Sequence, residues 1–263
     1  MIGVHGLEVV YGRGTPLETW AVRGIDLDIP TGQFVTVIGS NGSGKSTLLN
    51  AITGDAPVTR GSVVVDGIDV TRWPAPRRAR LVARVFQDPM AGTCEGLSIE
   101  ENLALAASRG RRRGLRPALT HARRTAFRER LAGLGLGLED RLHDRMGLLS
   151  GGQRQAVSLL MATLAGMRIL LLDEHTAALD PRTAEFVLDL TRRIVTAHGL
   201  TTLMVTHSMR HALDVGERTV MLHEGHIVFD IRGDARAGLD VPHLLAMFAR
   251  VRGEELADDS LLS

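Results

Sequence analysis

The sequence predicts an α/β protein with a parallel sheet, and three patterns support that prediction. A run of β-branched and apolar residues, 34–38, leads through a glycine-rich turn into an apolar helical stretch that starts at Lys45. Two further apolar runs, 169–173 and 201–206, have the composition of buried strands, and an amphipathic helix is predicted between them at 183–198. Strands that alternate with helices are typical of parallel sheets, which bind ligands at the carboxyl ends of their strands.

The glycine-rich turn and the residues after it match the phosphate-binding pattern G-x-x-x-x-G-K-[ST]. Its glycines allow positive φ, so that backbone N–H groups turn toward phosphate oxygens at the positive end of a helix. The Lys45 ammonium then reaches the β- and γ-phosphates, and the Ser46 hydroxyl is a ligand for Mg²⁺. The alternative, a glycine turn followed by a chance Lys-Ser, is disfavoured by the flanking strand and helix. The residues predicted to bind the nucleotide here are Gly39, Ser40, Asn41, Gly42, Ser43, Gly44, Lys45, Ser46 and Thr47.

Composition excludes several classes of protein. The net charge is +1, so no bulk charge favours nucleic acid or acidic membranes, and only 3% of the residues are aromatic, too few for a base-stacking surface. A single cysteine, Cys94, rules out an internal disulfide and fits a reducing compartment. We expect no signal peptide and no membrane-spanning segment, since no apolar run reaches about 18 residues.

The only lysine of the chain is Lys45 of the predicted phosphate loop. Every other basic residue except histidine is arginine. A lysine ammonium is a compact point charge on a flexible stem, whereas the arginine guanidinium is a planar fork. The single lysine therefore stands where a phosphate-binding point charge is required.

Ionisable side chains follow the two later strands at their carboxyl ends. Asp173 and Glu174 end the run at 169–172, and His207 follows the run at 201–206. Beside a phosphate loop, the first carboxylate is positioned to hold Mg²⁺, directly or through water, and the second to accept a proton from an attacking water. A lone histidine is ambiguous, but beside a triphosphate it can donate to the γ-phosphate and orient water.

Three other features allow both a functional and a structural interpretation. Ser150 and two glycines precede a predicted helix, which makes either an anion-binding end or an ordinary capped start. The arginine-rich segment 109–130 could contact acidic lipids or an acidic partner, although a solvated helix face is more common. Tyr11 could stack on a base, but its residue type alone favours an ordinary strand aromatic.

Together these segments resemble the nucleotide-binding subunit of an ATP-binding cassette (ABC) transporter across residues 4–250. The resemblance rests on several motifs in a fixed order, so it is far more specific than the phosphate loop alone. The matching motifs are the Walker A at 39–47, the Q-loop Gln87, the signature Leu149–Gln153, the Walker B at 169–173 with Glu174 after it, the D-loop at 178–180 and the switch histidine His207.

The resemblance assigns a role to each of these residues. It implies that Glu174, His207 and Gln87 act in hydrolysis. It also implies that Mg²⁺ is bound by Ser46, Gln87 and Asp173. Tyr11 falls where the family places its base-stacking aromatic, which reverses the assignment made from residue type. The nucleotide contacts implied outside the phosphate loop are Tyr11, Ser150, Gly151, Gly152, Gln153 and Asp180.

A domain organisation and a dimer also follow from the resemblance. Residues 1–89 and 161–250 would form a P-loop NTPase core of RecA type with an antiparallel β subdomain. Residues 90–160 would be an inserted helical subdomain, and 251–263 a tail. Two copies would sit head to tail, because the signature of one chain completes the ATP site of the other.

The function that the resemblance implies is an ATP- and Mg²⁺-dependent ATPase that powers a transporter, with a leaning to import and with amino acids as a candidate cargo. Its partners would be an integral-membrane permease, a second copy of the chain and an extracytoplasmic substrate-binding protein, with no nucleic acid. It would lie at the cytoplasmic face of the inner membrane. The strings at 84–90, 173–181 and 204–209 are similar to a subgroup of bacterial importer ATPases, some of which are linked to aromatic amino-acid uptake.

Two other functions compete with this interpretation. Soluble ABC ATPases of DNA repair or translation usually carry two cassettes or a coiled-coil insertion, and neither is visible in the sequence. A nucleotide-binding regulator without hydrolysis is disfavoured because Glu174 and His207 are both present. The chain departs from the family pattern at His175 and Ser40, where proline is common, and neither change removes a chemical group from the site.

Overall fold

The structure of the chain is a computed structural model that describes residues 1–110 and 117–252, with side chains to residue 250. The arginines predicted at 111–113 to form part of a basic run, and the C-terminal tail predicted to fray from 258, lie outside the described residues.

Within those ranges the chain forms ten strands and eight α-helices, with 3₁₀ turns at Met146–Leu148 and Gly233–Ala235. The strands are β1 (Ile2–Tyr11), β2 (Thr19–Ile29), β3 (Phe34–Ile38), β4 (Arg60–Val65), β5 (Ile68–Asp69), β6 (Val82–Val85), β7 (Ile169–Asp173), β8 (Thr201–Val205), β9 (Arg218–His223) and β10 (His226–Arg232). The helices are α1 (Lys45–Thr53), α2 (Ala75–Arg78), α3 (Ile99–Ala107), α4 (His121–Ala132), α5 (Gly151–Thr163), α6 (Pro181–His198), α7 (Met209–Val215) and α8 (Val241–Arg252). The predicted strand–turn–helix at 34–53 is confirmed.

The chain divides into two units, one of Met1–Arg78 with the residues from Leu200 onward and the other of Ala79–Gly199. This division does not decide where a functional subdomain begins and ends. The helical insertion at 90–160, within a core of 1–89 and 161–250, therefore stays a prediction.

The first unit holds three parallel strands, and the predicted phosphate loop follows one of them at an edge of the sheet. β3 pairs in parallel with both β8 and β9, and β10 continues the sheet antiparallel to β9. Every residue of β3 and β8 is buried, as expected for strands inside a parallel sheet. Because Val37 is in register with Val205, the segments that follow β3 and β8 leave the sheet at the same edge.

An antiparallel layer accompanies these strands in the same unit, in the order β2-β1-β4-β5. The residue pattern favours two short strands, at 20–22 and 25–29, but the structure differs, because β2 runs continuously through both. Gly24 sits inside it with φ of 72°, and the pairing of β1 with β2 shifts register between Leu7 and Glu8. Such bulges let a strand continue through a bend, which the alternation of residue types does not reveal.

The second unit pairs β6 and β7 in parallel and packs α3, α4, α5 and α6 around a core of their own. Ser98 and Glu101, a serine and a glutamate three residues apart, form a capping box at the start of α3. In α4, only Phe127 and Leu131 are buried, so most of this arginine-rich helix is solvated. Its Arg124 is an exception, because Nε lies 2.7 Å from the buried carboxylate of Glu100.

None of the helices in the described part of the chain has the length and apolar character needed to cross a membrane.

Candidate functional site

Backbone geometry at the end of β3 builds the predicted phosphate loop. Gly39, Gly42 and Gly44 have φ of 151°, 76° and 101°, all in the positive range that was expected. Gly44 is the N-cap of α1 and offers no side-chain cap, so the first N–H groups of this helix are left to a ligand or solvent. This is the arrangement that binds anions at helix N-termini.

Two of these glycines are also fixed by close backbone packing. A Cβ on Gly39 would lie 2.2 Å from the carbonyl oxygen of Leu222 in β9, and one on Gly44 would lie 2.4 Å from the carbonyl oxygen of Ala21 in β2. A Cβ on Gly42 would meet nothing within 4 Å. Close contacts with the backbones of β9 and β2 therefore fix the two ends of the loop, whereas a side chain at its middle would have space.

Lys45 is folded back onto this loop. Its side chain is buried, and Nζ donates to the carbonyl oxygens of Gly39 and Ser40 at 2.7 and 2.9 Å. The ammonium is thus held against the backbone of the predicted phosphate loop. Ser46, by contrast, is exposed at the first turn of α1, where its hydroxyl is accessible to a metal ion.

The loop fits a triphosphate by its chemistry as well as its shape. The hydroxyl of Ser43 is buried and has no hydrogen-bond partner, although a buried polar group normally has one. This orphaned donor lies in the same loop whose carbonyls at Gly39 and Ser40 hold the Lys45 ammonium. A phosphate oxygen is an acceptor that would satisfy both.

His207 and Tyr11 also belong to the first unit. His207 lies between β8 and α7, where the Thr206 N–H donates to the Val37 carbonyl at 3.1 Å and Ser208 caps α7. These bonds place it beside the strand that feeds the phosphate loop. Tyr11 ends β1 with 39% of its surface exposed, which leaves its ring face open for stacking.

In the second unit, Asp173 and Glu174 end β7, and Gln87 follows the neighbouring strand β6. Val85 is in register with Leu172, so these three side chains leave the sheet at the same edge. Gln87 is exposed, whereas the two carboxylates are each only 9% exposed. A carboxylate buried to this degree requires a partner, because an unpaired buried charge is costly.

A buried ion pair involves the predicted metal ligand. Arg84 of β6 places Nη2 2.6 Å from Oδ2 of Asp173. Arg84 begins the string at 84–90, but the sequence assigns it no role. An arginine three residues before the Q-loop glutamine gives no sign of its partner until the register of β6 and β7 is known.

Glu174 adopts a backbone conformation that side-chain-bearing residues rarely take, with φ of 46°. Its carbonyl accepts from the Ala177 N–H at 2.9 Å, which closes a tight turn after β7. Strain of this kind at a strand end costs about 1–3 kcal/mol and is common at functional sites. The turn directs the chain away from the strand just after the predicted base.

His175, which stands in place of the family's usual proline, is anchored inside the second unit. It is 2% exposed, and its Nε2 lies 3.0 Å from the Thr191 hydroxyl in the middle of α6. The Thr191 hydroxyl itself donates to the Val187 carbonyl at 2.7 Å, so the imidazole Nε2–H is the donor to Thr191. This contact fixes the turn beside Glu174 against α6 without a proline ring.

The signature residues form a capped helix start at α5. The Ser150 hydroxyl accepts from the Gln153 N–H, and the Gln153 side chain accepts from the Ser150 N–H. Ser150 is exposed, whereas Gly152 is buried, and a Cβ there would lie 2.2 Å from Cγ2 of Thr183. Gly152 therefore has a packing role within its own chain besides its predicted nucleotide contact.

Asp180 caps the helix that packs on α5. Its Oδ1 accepts from the Thr183 N–H at 3.2 Å, and it is exposed at the start of α6. Hydrogen bonds from Thr183, first from its hydroxyl and then from its N–H, hold the pKa of Asp180 below its usual range. The D-loop aspartate is thus ionised at neutral pH.

The side chains predicted to bind a metal carry oxygen donors, which are the ligands that Mg²⁺ prefers. Among the described residues, no group of three or more His, Cys, Asp or Glu side chains could hold a metal ion. In the first unit Ser46 offers a hydroxyl. In the second unit Asp173 offers a carboxylate and Gln87 an amide oxygen. Mg²⁺ usually takes few protein ligands and completes its shell with phosphate oxygens and water.

These features define a phosphate-loop nucleotide-binding protein, and comparison with known proteins supplies the family. The ABC transporter family profile matches residues 22–177. The tyrosine transport ATP-binding protein of Clostridioides difficile strain R20291 is 44% identical over 85% of this chain and 89% of its own length. The methionine import ATP-binding protein MetN of Chromohalobacter salexigens is 34% identical over 87% of this chain, which spans 63% of that protein.

Solved structures agree with the family in fold. A dimeric, post-hydrolysis state of the ATP-binding cassette MJ0796, bound to ADP and Pi, superposes with a TM-score of 0.76 at 29% identity, covering 88% of this chain and 98% of that one. The cassette MJ1267 in its ADP conformation gives a TM-score of 0.77 at 22% identity, covering 94% and 98%. The chain belongs to the ABC transporter family as an ATP-binding subunit with the ABC ATPase fold, in which the predicted α/β core, antiparallel layer and helical part are confirmed.

We predict that alanine at Gly39 is far more damaging than alanine at Gly42. Both substitutions force a side chain into positive φ, which costs about 1–2 kcal/mol. At Gly39 the new Cβ also collides with the backbone of β9, so the free energy of unfolding should fall by a further 1 kcal/mol or more, about the cost of overpacking. Urea denaturation measures the loss of stability, and titration with ATP measures binding.

Gly42→Ala is the matched control for stability, because its Cβ meets open space and the variant should lose only the free energy that the positive φ costs. Equal losses of stability in the two variants would show that the packing of Gly39 on Leu222 is not what fixes the loop.

Proposed function

We propose that this chain is the Mg²⁺-dependent ATPase subunit of a bacterial importer, and that the cargo is an amino acid, with an aromatic one as the first candidate. The observation that carries this proposal is the 44% identity to a tyrosine transport ATP-binding protein along 85% of the chain. Relatives named for aliphatic sulfonate and phosphonate import are 34% identical and are covered over 83% and 91% of their length. Proteins named for macrolide export are 38% and 35% identical, but this chain covers only 32% and 34% of their length, so the likeness along whole chains supports import.

For binding, Lys45 and the N–H groups at the start of α1 would hold the β- and γ-phosphates, and Tyr11 would stack on the base. Lys45 would give up its bonds to the loop carbonyls in exchange for phosphate oxygens. Ser46, Asp173 and Gln87 would serve Mg²⁺, which when bound neutralises charge on the β- and γ-phosphates.

For hydrolysis, Glu174 would accept a proton from the attacking water, and His207 would donate to the γ-phosphate and orient that water. Glu174 is supported by its burial at the end of β7 and by its strained backbone, both of which fix the direction of the carboxylate. Its neighbour His175 keeps the turn in place through Thr191.

The signature and the D-loop would act on a second copy of the chain. Ser150 and Asp180 are both exposed at helix N-termini, where Ser150 has its hydroxyl at the positive end of α5 and Asp180 carries a negative charge. We propose a head-to-tail dimer in which α5 of one copy faces the γ-phosphate bound by the other. The cassette MJ0796 is dimeric, which supports a dimer of this chain.

A permease would contact the chain at Gln87 and its neighbours. The movement that accompanies ATP binding and hydrolysis would reach the permease through this contact. Gln87, Asp88 and Met90 are exposed directly after β6, so that a surface loop follows the strand that carries Arg84. The chain would then lie peripherally at the cytoplasmic face of the inner membrane. An extracytoplasmic binding protein would complete the importer.

Replacement of Glu174 by Gln should abolish ATP turnover while ATP-dependent dimerisation persists. The amide cannot accept the proton, so the rate should fall by at least about 10²-fold, the lower range for general base catalysis. Phosphate release measures turnover, and sedimentation with and without ATP and Mg²⁺ measures the dimer. Hydrolysis that continues undiminished would remove Glu174 from the role of base.

Purification of the chain from its own membranes should bring an integral membrane protein with it. In the reconstituted complex, tyrosine presented with the cognate binding protein should stimulate ATP hydrolysis, whereas a non-aromatic amino acid such as alanine serves as the comparison. Recovery only with ribosomes or DNA would contradict a role in transport. Equal stimulation by all amino acids would contradict the aromatic cargo.

A further inference from the structure

The ion pair between Arg84 and Asp173 places an arginine guanidinium against the carboxylate that the proposed function assigns to Mg²⁺. The 2.6 Å contact joins two side chains that are only 11% and 12% exposed. A carboxylate buried to this degree without a partner would be costly, so the arginine stabilises the chain when no metal is bound.

The sheet itself fixes this contact. Arg84 is in register with Leu171 on the parallel strand β7, and Asp173 lies two residues further along on the same face as Leu171. The long arginine side chain spans this diagonal to reach Oδ2. The pair therefore follows from strand register and does not depend on a mobile loop.

A second contact holds the guanidinium from another side. Its carbon lies 4.7 Å from the centroid of the Phe86 ring, within range for a cation–π interaction. The Phe86 carbonyl accepts from Nε2 of Gln155 at 3.2 Å, and Gln155 is a buried residue of α5, the helix that begins at the signature. Arg84 thus contacts the aspartate assigned to Mg²⁺ on one side and Phe86, the neighbour of Gln87, on another. Phe86 is in turn hydrogen-bonded to the helix that begins at the signature.

We propose that Arg84 is the resident counterion of Asp173 and that Mg²⁺ reaches this carboxylate by taking the place of the guanidinium. This inference rests on the proposed function, in which Asp173 serves the metal. Exchange of one cation for another keeps the aspartate neutralised in both states. The exchange also makes the affinity for Mg²⁺ lower than it would be without Arg84, because the ion pair must be broken before the metal reaches Asp173.

The consequence is measurable as the coupling between metal and nucleotide. This coupling is the ratio of the dissociation constant for ATP in EDTA to that in saturating Mg²⁺, measured with a fluorescent ATP analogue in a Glu174→Gln background that prevents turnover. With Arg84→Met the ratio should rise about three- to tenfold, since a partly buried ion pair of this kind no longer opposes the metal. Arg84→Lys keeps the charge and should stay near the parent value.

Two controls make the result specific. Arg124→Met removes another short ion pair, to the buried Glu100, and should leave the ratio unchanged. Asp173→Asn should reduce the ratio toward one; if it does not, the assignment of Asp173 to Mg²⁺ fails and the proposed function must be revised.

A ratio that is unchanged or lowered in Arg84→Met, while Asp173→Asn lowers it, overturns the inference and leaves the proposed function intact. Urea denaturation of the nucleotide-free protein establishes that the variants fold. Should Arg84→Met fail to fold, Arg84→Gln takes its place in the same measurement, because it removes the charge and keeps a hydrogen-bond donor.

Discussion

The phosphate loop depends on close packing of its backbone against two other strands. Gly39 approaches the Leu222 carbonyl and Gly44 approaches the Ala21 carbonyl so closely that no Cβ fits at either position. Between them, the Ser43 carbonyl accepts from the Gly225 N–H of the β9–β10 turn at 3.1 Å. Strands from distant parts of the chain thereby hold the loop in one shape, with the uncapped N-terminus of α1 and the Lys45 ammonium both beside it.

A comparable constraint acts at the end of β7 in the second unit. There, register with β6 brings Arg84 to Asp173, and the turn after the strand forces Glu174 to positive φ. His175 joins this turn to α6 through Thr191, and Asp180 caps the same helix. Asp173, Glu174 and Asp180, for which a metal-binding, a proton-accepting and a D-loop role are predicted, are therefore connected by one stretch of backbone. Through the buried contact of His175 with Thr191, a movement of α6 would also move the turn at Glu174.

The sequence was sufficient for the elements that local patterns encode. Glycine spacing predicts the positive φ at 39, 42 and 44, and the capping box at Ser98 needs only two residues three apart. It was insufficient where a feature depends on register or packing. The continuity of β2 through Gly24, the partner of Arg84 and the tight contact of Gly152 with Thr183 all arise between segments far apart in the chain. The family resemblance supplied residue roles, such as that of Tyr11, that no residue pattern alone indicates.

The central claim, that each ATP site is built from two copies of the chain, is tested most directly by mixing two inactive variants. Lys45→Ala disables the phosphate loop, and Ser150→Phe blocks the signature. In a mixed dimer, one site combines the intact loop of one copy with the intact signature of the other. The account predicts that each variant alone is inactive and that the mixture recovers ATP hydrolysis. A mixture that stays as inactive as its components, with mixed dimers demonstrated, would mean that loop and signature act within one chain and would contradict the account.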